Sequence, residues 1–561
     1  MKRFACVALL LLVTLGNAQV VEWLHRYPGY GSSGARDIAV DNAGNVYVTG
    51  WGYYPDRSRD CLTIKYDTMG DTAWVRHFDG GANYFDDGYA LEIDNAGNVY
   101  VTGQCMVFSS DRDILTIKYN SAGVEQWVAV LSGTVGDDDE GHDIVVDDSG
   151  FVYVTGFTYS SPTSADWMTI KYDANGDTVW TARYNAPDSS ADQATALALD
   201  DLGNVYVTGY TNTSPEWFDY LTIKYNAAGE LQWMATYDGS ANNADDKAYD
   251  IEYHGGYIYV TGESEDSTSE SDYLTIKYDS MGDTVWTRRY DGLGAFYDVA
   301  VALTVDGAGN VYVTGESDGV TSAKDYATLK YTDAGNLEWT ARYNGPANLG
   351  DEANAIAVDN AGNVYVTGRS YDTGTYTPEF DYLTVKYNAA GNEQWAARYD
   401  GTGHTQDEAH AVTVDNMGYV YVTGENTGNT SYEDVVTIKY TTTGIMEEAG
   451  FTIHDPGYNL TVSPNPFSGQ TNIRFTMQDS RSTEQQLRNS NFAMRECTLG
   501  IYDAAGRLVK SFNPESCIMN HVSTIGWDGR DQFNRQLGSG VYFLRLTAGD
   551  HQETRQLLLI R

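Results

Sequence analysis

The chain has 561 residues and a formal net charge of −43, from 78 acidic against 35 basic side chains. That balance excludes binding to nucleic acid or to an anionic membrane surface through bulk electrostatics, and it favours cationic partners or divalent ions. The 44 tyrosines and 12 tryptophans supply aromatic surface for a large core, so the acidity is not that of a disordered chain.

Lys2 and Arg3, an apolar run over 4–15 and the small residues Gly16, Asn17 and Ala18 read as a secretory signal over 1–18. The run is short for a bilayer span and no later segment is longer, so no transmembrane span is expected in the mature chain. Cys6 leaves with the signal, while Cys61, Cys105, Cys497 and Cys517 remain. Cys61 could bridge Cys105, and Cys497 could bridge Cys517, in an oxidising compartment. No Cys-x-x-Cys or His/Cys cluster points to zinc.

Over 19–440 the chain is a tandem repeat. Val-Tyr-Val-Thr-Gly stands at 46–50, 99–103, 152–156, 205–209, 311–315, 364–368 and 420–424, with an Ile-headed copy at 258–262. A second element ends at Tyr66, Tyr119, Tyr172, Tyr225, Tyr278, Tyr331, Tyr387 and Tyr440. Trp23 precedes the first unit, and Trp74, Trp127, Trp180, Trp233, Trp286, Trp339 and Trp395 separate the later ones. Period-two alternation and β-branched or aromatic content give four strands per unit. Asp/Asn–Gly segments such as 359–363 and 388–391 give tight hairpins between them. Four antiparallel strands at this period predict the blades of a β-propeller. The array opens on a lone fourth strand at Trp23 and ends on a third strand at Tyr440. The count therefore closes an eight-bladed ring in which 20–27 completes the sheet begun at Ala411, removing an exposed edge. The tryptophans are expected to pack each blade on its neighbour.

Two aspartate series fall on the rim that carries the longer loops 51–59, 157–165, 263–271 and 369–380. One comprises Asp60, Asp113, Asp166, Asp219, Asp272, Asp325, Asp381 and Asp434. The other comprises Asp86, Asp139, Asp192, Asp245, Asp298, Asp351 and Asp407, with Ser33 in the first unit. Such carboxylates either cap backbone N–H groups and pair with Arg26, Arg183, Arg289, Arg342 and Arg398, or hold calcium or a cationic partner. Variable loops on a rigid frame make this rim the expected ligand face. Its pattern-breaking residues are Asp137, Asp138, Asp139 and Glu140, Glu263 and Glu265, and His404 and His410. No catalytic signature is present: there is no nucleophile elbow, zinc-protease helix motif or phosphate loop.

After a polar linker at 441–456, short strands predicted within 457–561 make a small two-sheet sandwich. The fold expected is thus all-β: an eight-bladed propeller of four-stranded blades, closed by the N-terminal strand, plus a C-terminal Ig-like β-sandwich.

The repeat over about 20–440 resembles the bacterial SBBP β-propeller repeat, whose name implies seven blades where the strand count here gives eight. Segments such as Asn388, Gly391 and Trp395 also resemble the tryptophan-docking repeats of eight-bladed quinoprotein dehydrogenases. The vicinal cysteines and quinone-site pattern of those enzymes are absent, so their activity is not implied. The tail resembles flagellar hook-capping Ig-like domains and the sorting domains of type IX secretion cargo. The matching residues are Pro464 to Phe467, Ile501 to Asp503, Gly506 and Arg507, Trp527 to Gly529, and Ser539 to Tyr542. That likeness implies an export machinery as partner and an extracellular or outer cell-surface location. The function expected is a secreted or surface binding or structural protein with an extracellular glycan or protein ligand. An extracellular polysaccharide hydrolase or lyase is the alternative.

Overall fold

A computed structural model describes residues 21–441 and 451–561, less short stretches inside loops and, in the tail, 478–496 and 513–521. The signal segment, Asp137, His404 and Cys517, together with the Cys497 side chain, lie outside the described residues. The chain divides into two compact units, one holding the repeat and the other the tail from Ile453.

In the first unit eight sheets each take four antiparallel strands from the repeat, in the order of the chain. The first strand of every sheet packs on the first strand of the next, and the eighth returns to the first, closing a ring around a central channel. The eighth blade is built of Asp407–Val414, Val420–Thr427, Glu433–Tyr440 and, from the other end of the chain, Val21–Tyr27. The register pairs Val21 with Tyr440 and Tyr27 with Val435. The ring thus closes without a free edge between its first and last blades.

Each element of the repeat motif has a local reason. In the first hairpin, Asp41 accepts the N–H groups of Ala43 and Asn45 (both 2.9 Å) and the Tyr47 hydroxyl (3.0 Å). The same carboxylate-to-tyrosine contact recurs at Asp94, Asp147, Asp200, Asp306, Asp359 and Asp415. The motif glycine faces a bulge in the first strand. A Cβ at Gly50 would fall on the carbonyl oxygen of Gly34, so only glycine lets the two strands close.

The tryptophans join blades. The indole N–H groups of Trp74, Trp127, Trp180, Trp233, Trp286 and Trp339 donate to carbonyls in the hairpin between strands three and four of the following blade, at 3.0–3.3 Å. The ring then lies flat on that hairpin's glycine, as Trp127 does on Gly176. Trp23 meets Gly70 in the same way, and Trp395 is buried against Tyr365 and Tyr440. These rings are the interblade core, consistent with the large apolar area that each contributes.

Two sequence expectations are corrected here. Cys61 and Cys105 are free thiols, buried in one core cluster of blades 1 and 2 rather than bridged. Desolvation raises both thiols well above their ordinary range, as it does for any thiol in an apolar core. Inside the expected linker, Phe451–His454 is a strand.

In the second unit, Tyr458–Ser463, Thr471–Met477 and Val522–Trp527 make one sheet. Leu508–Phe512, Cys497–Asp503, Gly540–Ala548 and His551–Leu559 make the other. Ile473, Leu499, Ile501, Trp527, Leu544 and Leu557 fill the space between them. Two ion pairs four residues apart, Arg507–Asp503 (2.7 Å) and Arg535–Asp531 (2.8 Å), lie in this unit. No helix among the described residues is long and apolar enough to cross a membrane.

Candidate functional site

The rim where strand two meets strand three, and strand four meets the next blade, gathers both aspartate series. Asp60 lies with Asp79 and Asp86, Asp219 with Asp238 and Asp246, and Asp272 with Asp291 and Asp298. In each group, one oxygen from every carboxylate lies within 4.8 Å of the others. These clusters have the oxygen-only chemistry that can hold a metal ion of calcium's class.

Most of the second series caps backbone. Asp86 accepts the N–H groups of Gly80 and Met106 (both 2.8 Å), Asp139 those of Gly133 (2.5 Å) and Tyr159 (3.0 Å). Asp192 takes Ala186 N–H and the Thr211 hydroxyl, Asp298 takes Gly292 N–H and Asp351 takes Gly345 N–H. Asp407 accepts from the Asn426 amide. Burial pushes Asp86, Asp298 and Asp351 up to about 6 despite these donors. In the fifth blade the residue in this register is Asp246, which pairs with Ser264 as Asp298 pairs with Ser317. The first hairpin of that blade is a tight Gly255–Gly256 turn, one residue shorter than the others, so counting back from the motif lands on Asp245. Asp245 turns away to Lys247 at 2.5 Å and the Phe218 N–H at 3.1 Å.

The middles of the variable loops (54–58, 160–164, 266–269 and 372–378) lie outside the described residues. Just inside them, at the loop-side mouth of the channel, runs a belt of ion pairs that differs from blade to blade. Arg59 binds Asp87 at 2.6 Å, and Arg112 binds Glu140 at 2.6 Å and Asp138 at 3.9 Å. His142 lies 3.7 Å from Glu140. Lys247 reaches Glu263 at 3.9 Å, whose carboxylate also accepts the Tyr249 hydroxyl. The backbone N–H of Glu265 donates to the Asp245 carbonyl. Lys324 binds Glu316, and Arg369 joins Glu352 to Glu408. His410 stands 3.7 Å from Glu425 and 3.3 Å from the Arg36 guanidinium, and with Glu408 and Glu425 forms a mixed cluster able to take a metal. The sequence-derived ligand residues Asp138, Glu140, Glu263 and His410 therefore belong to this belt.

Deeper in the channel lies a feature that sequence reasoning missed. Asp37, Asp143 and Asp250 stand just after the bulge in the first strands of blades 1, 3 and 5. Each carboxylate accepts two backbone N–H groups, one from its own strand and one from the next blade. Asp143 takes Ile144 and Leu197, both at 2.8 Å, while Asp37 clasps Ile38 with Leu91 and Asp250 clasps Ile251 with Leu303. Blades 2, 4, 6, 7 and 8 hold Ala90, Ala196, Ala302, Ala355 and Ala411 in the same register. The signal available in the sequence was that alternation of Asp and Ala, visible once the repeats are stacked. Glu92 and Glu252 stand two residues further along their strands.

Desolvation raises all five of these carboxyls: Asp37 to about 6, and Asp143, Glu92 and Glu252 to about 7, with Asp250 shifted the same way. A carboxyl whose folded pKa is raised binds its proton more tightly in the fold than in the unfolded chain. Stability is then greatest below about pH 4 for these groups and falls as pH rises toward 7. Asp41 and Asp94 act oppositely: burial opposes ionisation, but their amide, hydroxyl and backbone donors outweigh it and hold them low. Their contribution is lost only in stronger acid. The melting temperature is therefore expected to fall between pH 5 and pH 8. Asp143→Ala, which copies the residue of five other blades, should flatten that slope by about 1–2 kcal/mol. A pH series of calorimetric melts reads this, and an equal slope in wild type and variant would refute it.

Comparison with known proteins comes from both units. A β-propeller repeat family model matches 126–162, 179–215 and 338–374, and a secretion-system C-terminal sorting domain model matches 461–560. An uncharacterized WD repeat-containing protein of Acanthamoeba polyphaga mimivirus is 24% identical over 460 residues, which is 65% of this chain and 31% of that protein. The chain thus spans about a third of that relative. Among solved structures, PorZ, described as a surface component of the type IX secretion system of Porphyromonas gingivalis, aligns over 93% of this chain and 74% of its own. Its identity is 13% and its TM-score 0.33. A polysaccharide lyase family 25 ulvan lyase aligns over 76% of this chain and 97% of its own, with 11% identity and a TM-score of 0.38.

Proposed function

We propose that this chain, an SBBP-type β-propeller protein with a C-terminal type IX secretion sorting domain, acts outside the cell or on its outer surface as a binding protein. Its ligand face is the loop-bearing mouth of the channel. The observation that carries the reading is the contrast between the two ends of the ring. The hairpin end repeats one Asp–Tyr turn in seven of the eight blades, as scaffold would. The mouth changes its charges at every blade, from Arg59–Asp87 through Arg112–Glu140–His142 to Arg369–Glu352–Glu408. One asymmetric ligand needs asymmetric contacts, and fold alone does not supply them. The ligand is a polar extracellular glycan or protein segment, and calcium is the ion suited to the carboxylate rim beside it.

The test is an array of glycans and extracellular proteins probed with the secreted chain, with and without calcium, beside an assay on pooled polysaccharides. Wild type should bind without turnover, and Arg369→Ala or Arg112→Ala should weaken binding while leaving the melting temperature within a few degrees. Turnover that a single carboxylate substitution abolishes would establish the hydrolase or lyase instead. Binding unaffected by both arginine variants would remove the mouth as the ligand face.

A further inference from the structure

The arginines of the mouth differ in how many of their N–H groups are spent. In blade 7, Arg369 gives Nε and Nη2 to Glu352 and Nη1 to Glu408, so all three of its nitrogens are engaged. In blades 1 and 2 the guanidiniums are mostly unspent. Arg36 has one contact, from Nη1 to the His410 ring nitrogen at 3.3 Å. Arg59 donates only Nε, to Asp87 at 2.6 Å, and Arg112 only Nη1, to Glu140 at 2.6 Å. A guanidinium carries five N–H groups, so each of these three keeps most of its donors unmade among the described residues.

Tyr89 adds a further free donor. It stands in the bulge of the first strand of blade 2 and lies in the field of both Arg59 and Arg112. Its hydroxyl makes no hydrogen bond among the described residues. Burial, with Glu140 and Asp87 adding to it, lifts this hydroxyl above its ordinary range, so it stays protonated and able to donate.

The fold fixes where these donors stand. Arg59 and Arg112 share one register, just before the aspartates that head their third strands, and their carbonyls accept the Asp86 and Asp139 N–H groups at 2.7 and 2.8 Å. The Arg59 guanidinium lies over Trp51, 4.1 Å from the ring centroid, and 5.9 Å from that of Phe85. Stacking and a single carboxylate bond hold the planar fork without consuming its other donors. In blades 3, 4, 5, 7 and 8 the same register holds Ala165, Phe218, Ser271, Phe380 and Glu433, and in blade 6 Lys324 is bound to Glu316. Phe85 pairs with Arg59 in a parallel bridge, and it and Tyr84 are 47% and 48% exposed. Their open aromatic faces are surfaces on which a sugar ring can lie.

We infer that this wall of the mouth, from Arg36 through Arg59 and Tyr89 to Arg112, is the subsite for the acidic groups of an extracellular glycan, its carboxylates or sulfates. The inference rests on reading the mouth as the ligand face and names the class of ligand that face takes. A guanidinium fork meets a carboxylate or sulfate through two parallel N–H···O bonds, and the Tyr89 hydroxyl supplies one more. The aromatic faces of Tyr84 and Phe85 beside the forks suit the sugar ring that carries the acidic group. The chain's net charge of −43 repels a polyanion from afar. Physiological salt screens that field beyond about 8 Å, so the bound state is decided by these short contacts.

The experiment is a calorimetric titration of the full chain with a galacturonate oligomer and with its methyl ester, which keeps the sugars and removes the charge. A sulfated galactan oligomer and its desulfated form make a second pair, and polyglutamate is the peptide arm. Wild type should bind the acidic member of a pair about tenfold or more tighter than the neutral one. The pair that shows this preference tells carboxylate from sulfate. The double variant Arg59→Gln, Arg112→Gln should bring the two members level. Tyr89→Phe removes a hydroxyl that no group of the fold uses, so it should lower the ratio about threefold with the melting temperature unchanged. Arg369→Ala should weaken both members alike and keep their ratio. Equal affinity of wild type for both members, or a ratio untouched in the double variant and in Tyr89→Phe, would overturn the subsite. The mouth would still stand as the ligand face if Arg369→Ala weakened both members. Polyglutamate bound more tightly than either acidic glycan would overturn the glycan class. No binding of any probe at millimolar concentration would overturn the acidic-glycan subsite, while the array decides the mouth itself.

Discussion

A chain lacking residues 21–27 is expected to lose the cooperative melt of the ring and to self-associate. Val21–Tyr27 is the fourth strand of the eighth blade, and no neighbour can replace it. Its removal strips the ladder from Glu433–Tyr440, a strand buried along almost its whole length, and frees Asp434 from Arg26 at 2.5 Å. It also takes away Trp23, buried between Tyr66 and Tyr421 and seated on Gly70. Deleting a buried tryptophan alone costs about 3–5 kcal/mol, so loss of the whole strand should lower the melting midpoint by roughly 10 °C or more. The uncovered edge is a template for another chain, so light scattering should show oligomers. A synthetic peptide of the missing strand, added in trans, should restore part of the melt by strand addition. A truncated chain that melts as the intact one, as a monomer, would mean that the ring does not depend on this closure.

That closure was legible because one tryptophan stood out of phase: Trp23 has no first, second or third strand before it. Strand identity was equally plain, since four hydrophobic segments recur with the same turn chemistry. What the linear pattern could not show was which side of each strand meets which neighbour. A bulge shifts the register between Ala35 and Asp37, Gly141 and Asp143, and Ala248 and Asp250, so the period-two pattern breaks there and the three aspartates read in sequence as ordinary interruptions of a buried strand. Arg112 and Glu140 meet at the mouth from different blades, across a loop whose course no spacing rule predicts. Counting back from the motif lands on Asp245 instead of Asp246 for a simpler reason, a hairpin one residue short. The two buried cysteines show the reverse limit: residues one repeat apart share a core cluster without being bonded.

The interblade contact at Gly176 should be among the least substitutable in the ring, and a double-mutant cycle can separate its two causes. Gly176 has φ +86°, and a Cβ there would lie 2.6 Å from Cδ2 of Trp127, whose indole N–H already donates to the Ala174 carbonyl at 3.1 Å. Gly255 is the comparison, a hairpin glycine at φ +59° with nothing within 4 Å of a Cβ. Gly255→Ala meets only the backbone strain of the left-handed region, about 1–2 kcal/mol. Gly176→Ala meets that strain and must also displace a packed indole, adding about 1–3 kcal/mol. The extra part should vanish in a Trp127→Ala background, because the ring that the Cβ strikes is then gone. Denaturant or thermal unfolding of the four chains gives the coupling directly. If Gly176→Ala costs the same with and without Trp127, the glycine is there for its backbone alone. A coupling of the predicted size would instead show that the repeated Gly–Trp pair is the joint that holds one blade to the next.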